Sequence, residues 1–328
     1  MKKIEDLWKQ AGIEQAVQLG LCPVNLQKKN RVHVLALGDV GTSVLTGLRV
    51  LGGDVISEIG IYDMSKENMQ RLEMEMNQIR YPFSEISGET VLPKVRTISR
   101  ETLFDCDVFV FCASRGVPPL SETGDVRMAQ LEANLEIVRG YAAMAAQADY
   151  RGLVAVVSDP VDPLCAAFLE NSGLDPSQVQ GYGLGVMNSR ALYYAEKDSR
   201  FLRFVTEGRA YGPHGTDLVL ADSLQHYDDA LSRELTALVT GANLEVRALG
   251  FKPYIAPAWS SGAISILLTL RGQWHYSSLH LGDDRRGAFF GMKNRMTENG
   301  PEYEDMEIPD ALFDRMYIAY SNLLQLQK

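Results

Sequence analysis

A strand, a glycine turn and a helix follow one another near the start of the chain, and this order constrains the fold most. Residues 32–37 read Val-His-Val-Leu-Ala-Leu, a mostly apolar run that is typical of a strand covered on both faces. Gly38-Asp39-Val40-Gly41 comes next, and apolar residues at helical spacing begin at Val44. The pattern predicts a strand–turn–helix unit within a parallel sheet.

The turn has the residue types that a dinucleotide-binding turn needs. Gly38 and Gly41 occupy the second and third glycine places of a G-x-G-x-x-G pattern, and Ala36 stands at the first. Small residues let the backbone approach a pyrophosphate, and the helix N-terminus offers free N–H groups to it. Asp63 ends the next predicted strand, where a carboxylate accepts from ribose hydroxyls and repels a 2′-phosphate. The sequence therefore predicts NAD as the cofactor; the alternative is a plain tight turn with Asp63 as a strand-end cap.

Short apolar strands alternate with longer helical patterns as far as about residue 160. The predicted strands are 59–62, 108–111 and 153–157, and the predicted helices are 66–80 and about 125–148. This alternation predicts an α/β fold with a Rossmann-type doubly wound parallel sheet.

The order of the predicted elements changes after about residue 160. The helical patterns there are 162–172, 186–198, 222–250, 261–271 and a last one from Pro309, while alternating runs at 274–279 and 288–292 indicate antiparallel strands. The second half is therefore predicted to be an α+β substrate domain. We expect three regions: an N-terminal helical arm (1–30), an NAD-binding Rossmann domain (31–160) and the substrate domain (161–328).

Composition and charge exclude several classes of function. The 328 residues are 46% hydrophobic, which is typical of a chain that can bury a core, and their formal net charge is −10. An acidic chain without a basic stripe is a poor nucleic-acid binder, and no apolar run is long enough to cross a membrane. The first residues lack the apolar run of a signal peptide, so we expect a cytoplasmic protein.

The cysteines predict neither a metal site nor a disulfide framework. Cys22, Cys106, Cys112 and Cys165 form no C-x-x-C pair, and no histidine follows them at zinc-site spacing. Cys106 and Cys112 flank a predicted apolar strand, where buried free thiols are the expectation, and no metal is expected.

Motifs along the rest of the chain give it a resemblance to the lactate/malate dehydrogenase family. They are the Arg127-x6-Asn134 spacing, Val-Ser-Asp-Pro-Val-Asp at 157–162, Arg190, Gly-Pro-His-Gly at 212–215 and Tyr-Ile-Ala-Pro-Ala at 254–258. The order and spacing of the family's motifs are kept from the glycine turn to this last segment. The resemblance implies reversible hydride transfer between NAD(H) and a small 2-hydroxy or 2-oxo acid, by a homodimer or homotetramer.

The resemblance also implies a role for each motif residue. Arg190 would bind the substrate carboxylate through two parallel hydrogen bonds, and His214 would pass the proton as acid or base. Arg127 would polarise the carbonyl from a closing loop, with Asn134 as its companion on the helix. A surface salt bridge is the alternative fate of either arginine. The implied cofactor contacts are Gly38, Asp39, Val40, Gly41, Asp63, Ala113 and Ser158.

Two positions depart from the family pattern. Met187 stands where the family has the aspartate that orients the histidine, and Asp159 stands where it usually has asparagine. Methionine cannot accept the imidazole N–H, so we hypothesise that Asp159 partly replaces the missing carboxylate and favours protonated His214. Two alternatives remain open: a catalytically impaired NAD-binding paralogue, and a same-fold reductase of an imine or a bulkier oxo acid.

The segment between Ala113 and Arg127 differs from the family as well. It is a few residues longer than the usual loop and lacks the Pro-Gly pair before the arginine. Arg115 could receive a distal carboxylate or reach the cofactor phosphates. The side chain of the substrate therefore stays open at this point.

Overall fold

The computed structural model describes residues 2–82, 91–115, 126–284 and 286–326, with the backbone alone for 126–130. The strands in these ranges are β1 Asn30–Leu35, β2 Ile56–Tyr62, β3 Lys94–Thr97, β4 Val108–Phe111, β5 Leu153–Val156, β6 Val179–Gly181, β7 Arg209–Tyr211, β8 Val219–Ala221, β9 His275–Gly282, β10 Gly287–Thr297 and β11 Gly300–Tyr303. The helices are α1 Glu5–Gln10, α2 Asp39–Leu51, α3 Lys66–Gln78, α4 Val126–Gln147, α5 Val161–Ser172, α6 Leu184–Lys197, α7 Phe204–Glu207, α8 Asp229–Ala248, a π-helix Pro257–Ile264, α9 Ser265–Leu270 and α10 Asp310–Gln325.

One large sheet runs through the molecule in the order β11-β10-β9-β6-β5-β4-β1-β2-β3. The strands from β3 to β6 are parallel, and the chain turns from one side of β1 to the other between β3 and β4. Ligands of doubly wound sheets bind at the carboxyl ends of the strands beside such a reversal. The predicted α/β fold is confirmed, and the reversal indicates where its site lies.

The predicted antiparallel strands extend this same sheet. β9 pairs with both β10 and β6, and Gly181 lies opposite Ser278 where the parallel and antiparallel parts meet. A Cβ on Gly181 would lie 2.7 Å from the nearest side-chain atom of Val161, so glycine permits the close packing of α5 on this junction. The two halves of the chain are therefore joined through a continuous hydrogen-bonded surface.

The helix ends follow local chemistry. Ser65 caps α3 by accepting from the Asn68 N–H, and Asp228 caps α8 by accepting from the Leu231 N–H. The sequence pattern at 222–250 begins seven residues before α8 does, because residues 222–228, which follow β8, form the turn that Asp228 closes.

The first thirty residues contain less helix than expected. Helix is confined to Glu5–Gln10, and the side chains of Ile4, Leu7, Trp8 and Ile13 are buried in a cluster with α10 and β10. The apolar pattern that predicts a helical arm instead reflects packing of an irregular segment on the second half of the chain. The division into three regions stays a prediction.

Candidate active site

A cavity of about 1530 Å³ opens at the carboxyl ends of the central parallel strands. Residues just after β1, β4 and β5 line it, among them Ala36, Ala113 and Ser158. Pockets for one small ligand usually measure about 300–1,000 Å³, so this cavity is large enough for a dinucleotide with a small acid beside it.

The glycine turn forms one wall of the cavity. Gly38, Asp39, Val40 and Gly41 line it, and α2 begins there without a side-chain cap. A Cβ on Gly41 would lie 1.8 Å from the Ala36 carbonyl oxygen, so only glycine allows this close approach of turn and helix. Ala36 itself has a φ of 69°, the left-handed conformation that explains why glycine is usual at this place.

Two polar side chains hold the backbone around the turn. Asp63 follows β2, lines the cavity and accepts hydrogen bonds from the N–H groups of Leu37 (2.6 Å) and Ser65 (2.9 Å). Ser158 donates its hydroxyl to the Ala113 carbonyl at 2.8 Å, which fixes the ends of β4 and β5 against each other. These residues fit a dinucleotide: an uncapped helix N-terminus faces the cavity, and a carboxylate lies at the end of the adjacent strand.

His214 and Asp159 lie together on the opposite wall. Nδ1 of His214 is 3.0 Å from Oδ1 of Asp159, and the histidine side chain is 17% exposed. Gly183 packs beneath the histidine, where a Cβ would be 2.9 Å from the His214 Cβ. The contact that the sequence analysis hypothesised is thus present in the structure, and it leaves Nε2 as the ring nitrogen for a ligand.

Arg190 and Met187 lie one helical turn apart on α6 and line the same cavity. Met187 is buried, and its sulfur accepts from Nη1 of Arg190 at 3.6 Å. Burial lowers the pKa of Arg190, while Tyr194 and Asp159 act in the opposite direction. Within the described part of the chain, no carboxylate forms a salt bridge with Arg190.

Asn134 does not reach the cavity surface. It is fully buried in α4; its amide donates to the Asp159 carbonyl (2.8 Å) and accepts from the Arg115 N–H (3.0 Å). This arrangement corrects the expected substrate contact, because both ends of the amide are used to position backbone. The Arg115 side chain forms a 2.7 Å salt bridge with Glu136 at the surface, although Arg115 also lines the cavity. The side chain of Arg127 lies outside the described residues.

Asp162 is a cavity-lining residue that the sequence analysis did not single out. It lies in the first turn of α5, is 2% exposed and lies near Ser278 of β9. Burial raises its pKa to about 7, against the opposing effects of Ser278 and His214. Its Oδ1 has no hydrogen-bond partner among the described residues. A charged residue inside the apolar run 161–168 is the signal that could have identified it.

Helix α8 contributes three more cavity-lining residues that the sequence did not reveal as candidates. Thr240, Asn243 and Arg247 line the cavity at positions i, i+3 and i+7, which lie on one face of a helix. Sequence alone does not distinguish such a polar stripe from a solvent-facing one.

Across the described ranges, no group of three or more His, Cys, Asp or Glu side chains is arranged to hold a metal ion. No helix in those ranges is both long enough and apolar enough to cross a membrane.

Comparison with known proteins places these features in context. Residues 30–181 match the family described as lactate/malate dehydrogenase, NAD binding domain. The L-lactate dehydrogenase of Treponema denticola is 26% identical over 189 residues, which are 58% of this chain and 56% of that enzyme. The chain thus matches a little over half the length of this relative.

Solved structures share the fold over nearly the whole chain. The minor L-lactate dehydrogenase of Enterococcus mundtii, in ligand-bound form, has a TM-score of 0.73 at 20% identity, covering 91% of this chain and 98% of that one. The malate dehydrogenase of Archaeoglobus fulgidus in complex with NADH has a TM-score of 0.72 at 16% identity, covering 90% and 98%.

Proposed function

We propose that the chain transfers hydride reversibly between NAD(H) and a small 2-hydroxy or 2-oxo acid, because residues 30–181 match the NAD binding domain of the lactate/malate dehydrogenase family. One observation carries the proposal. A single cavity joins an uncapped helix N-terminus, a His214–Asp159 pair and the guanidinium of Arg190, which lacks a carboxylate partner among the described residues.

The wall of the cavity that the glycine turn forms would bind the cofactor. The N–H groups at the start of α2 receive the pyrophosphate, and Asp63 accepts from the adenosine ribose. Asp39, Val40, Ala113 and Ser158 shape the adjoining surface. When bound, NAD supplies the hydride acceptor and NADH the hydride donor.

Arg190 holds the substrate carboxylate. A planar guanidinium pairs with a carboxylate through two parallel hydrogen bonds, and partial burial strengthens them because water is excluded. Met187 contributes no charge, and no described carboxylate forms a salt bridge with Arg190, so the substrate carboxylate does not have to displace one.

His214 moves the proton. Asp159 accepts the Nδ1–H, which fixes the tautomer and leaves Nε2 to protonate the oxygen formed from the carbonyl, or to remove the hydroxyl proton in the reverse direction. Asp159 thereby partly replaces the aspartate that the family has at the position of Met187.

Arg127 completes the proposal. It follows the 116–125 segment at the start of α4, and from there it would polarise the substrate carbonyl. Asn134 positions the backbone of Arg115 and Asp159 beside it. We also propose division into the three regions given above and self-association as a homodimer or homotetramer.

The test is NADH oxidation with a panel of 2-oxo acids, together with NADH binding followed by fluorescence. We expect turnover on at least one acid. Arg190→Gln should lower kcat/KM by about 100-fold, the value of a charge-assisted pair of hydrogen bonds. Arg233→Gln, on α8 and paired with Asp229 on the exposed surface, is the matched control. NADH binding without turnover on any acid would overturn the proposal and favour a catalytically impaired paralogue.

A further inference from the structure

The glycine turn contains an acid at the place where the phosphates of a dinucleotide are expected. Asp39 is the first residue of α2 and lines the cavity, and its side chain is about half exposed. The free N–H groups of a helix N-terminus attract an anion, whereas a carboxylate beside them repels it. Unless its charge is offset, Asp39 therefore opposes the binding of a pyrophosphate at the turn.

Lys252 offsets that charge from a distant part of the chain. Its Nζ lies 3.1 Å from Oδ2 of Asp39, and Lys252 also lines the cavity. Arg115, another cation that lines the cavity, pairs with Glu136 instead. The ammonium group has three N–H donors, and Asp39 accepts a hydrogen bond from one of them. Lys252 thus has donors left for an anion at the exposed edge of the cavity, beside the start of α2.

The backbone that carries Lys252 is held against α2. Lys252 lies in the segment 249–256, which leads from α8 into the π-helix. The π-helix packs closely on α2, because a Cβ on Gly47 would lie only 2.5 Å from the Cβ of Ala263. The contact between Lys252 and Asp39 therefore joins two elements that are packed together, and the lysine is kept within reach of the helix N-terminus.

We infer that Lys252 binds the pyrophosphate of NAD(H), with Asp39 positioning its ammonium group beside the start of α2. This inference rests on the cofactor site of the proposed function. Lysine suits this role because its compact charge on a flexible stem can contact a carboxylate and a phosphate at the same time. The pair is exposed, so it can separate while the dinucleotide enters and re-form at little cost once the dinucleotide is bound.

The charge balance at the turn depends on the lysine. With Lys252 in place, the carboxylate and the ammonium group neutralise each other, and the N–H groups of α2 attract the pyrophosphate unopposed. Without Lys252, the charge of Asp39 repels the doubly charged pyrophosphate. Because both side chains are more than half exposed, dissolved salt screens this repulsion, so the contribution of Lys252 should be largest at low ionic strength.

The experiment measures binding in the absence of an oxo acid. The NADH affinity of wild type, Lys252→Met and the control Lys9→Met is followed by fluorescence, and ADP-ribose and adenosine are measured as competitors of NADH. Lys9 is the matched control because it pairs with Glu5 at 2.9 Å on an exposed helix face. Lys252→Met should weaken the binding of NADH and ADP-ribose by about 10- to 100-fold at low salt, the value of a charge-assisted hydrogen bond, and leave adenosine binding unchanged. Lys9→Met should leave all three affinities unchanged.

A double variant separates contact with the phosphates from neutralisation of Asp39. If Lys252 donates to the pyrophosphate, Lys252→Met also weakens ADP-ribose binding in the Asp39→Asn background, by about fivefold or more. Both side chains are exposed, so neither substitution should impair folding. A loss that vanishes in the Asp39→Asn background, equal losses for ADP-ribose and adenosine, or no loss at all would each overturn the inference.

Failure of this inference differs from failure of the proposed function. Turnover of an oxo acid with unchanged NADH affinity in Lys252→Met would refute the phosphate contact alone. NADH binding that depends on Lys252, without turnover of any acid, would support the contact and refute the proposed reaction.

Discussion

Replacing Asp162 by asparagine should remove a pH-dependent loss of stability. The carboxyl is almost completely buried, and its pKa is raised from 3.8 to about 7, chiefly by that burial. A group whose folded pKa is raised stabilises the protein fully below its unfolded pKa, and this contribution is lost as pH rises through the folded pKa. The window therefore runs from about pH 4 to pH 7.

The size of the effect follows from the shift. About three pKa units at about 1.4 kcal/mol each give about 4 kcal/mol. The free energy of unfolding of Asp162→Asn minus that of wild type should therefore increase by about 4 kcal/mol between pH 4 and pH 8. Burial also lowers the pKa of His275 to about 4, which makes the protein less stable as pH falls. Because both proteins contain this histidine, its contribution cancels in their difference.

The assay is urea unfolding at several pH values, followed by circular dichroism and tryptophan fluorescence. Asp314→Asn, at an exposed position of α10, is the control. Its free energy of unfolding should differ from that of wild type by the same amount at every pH. If the free energy of unfolding of Asp162→Asn also differs from that of wild type by a constant amount from pH 4 to pH 8, burial does not raise the pKa of Asp162 and the reasoning is wrong.

Three further substitutions test the two walls of the cavity. Asp159→Asn should lower kcat for oxo-acid reduction by about tenfold or more, because the imidazolium of His214 loses its charged partner; an unchanged kcat from pH 5 to pH 9 would contradict the role. Asp63→Ser should reduce the preference for NADH over NADPH by about tenfold, as seen in the ratio of the two kcat/KM values, and an unaltered ratio would remove Asp63 from cofactor selection. Gly41→Ala places a Cβ 1.8 Å from the Ala36 carbonyl oxygen, so we expect about 1–3 kcal/mol lower stability and weaker NADH binding, whereas Gly38→Ala, where a Cβ meets no atom within 4 Å, should retain wild-type stability.

Features that depend on short-range order could be predicted from the sequence. The strand, the turn and α2 follow one another without interruption, so the apolar run and the glycine spacing predict the local structure and its place in a parallel sheet. The contact of Asp159 with His214 joins residues 55 positions apart. It could be anticipated because two coupled departures from one family pattern, at Asp159 and Met187, imply that one compensates for the other.

Features that depend on tertiary packing could not be predicted. Arg247 projects into the cavity because α8 packs on α6, and its sequence neighbours do not reveal which side of α8 is covered. Asn134 has the expected spacing from Arg127, yet its amide is used by backbone groups that only the folded chain brings together. The apolar residues of the first thirty positions predicted a helical arm, but helix α1 ends at Gln10, and burial against α10 is what Leu7, Trp8 and Ile13 share.

The pairing of Gly181 with Ser278 has a mechanical consequence. A nucleotide domain and a substrate domain connected by a flexible hinge can open like a clamp, but here β6 and β9 are adjacent strands of one sheet. Asp162 lies buried beside this junction, near Ser278, so separating the halves would expose a carboxyl that the fold keeps dry. A route for ligands that leaves the sheet intact can pass the Lys252–Asp39 pair, which lines the cavity and, being exposed, can break and re-form at little cost.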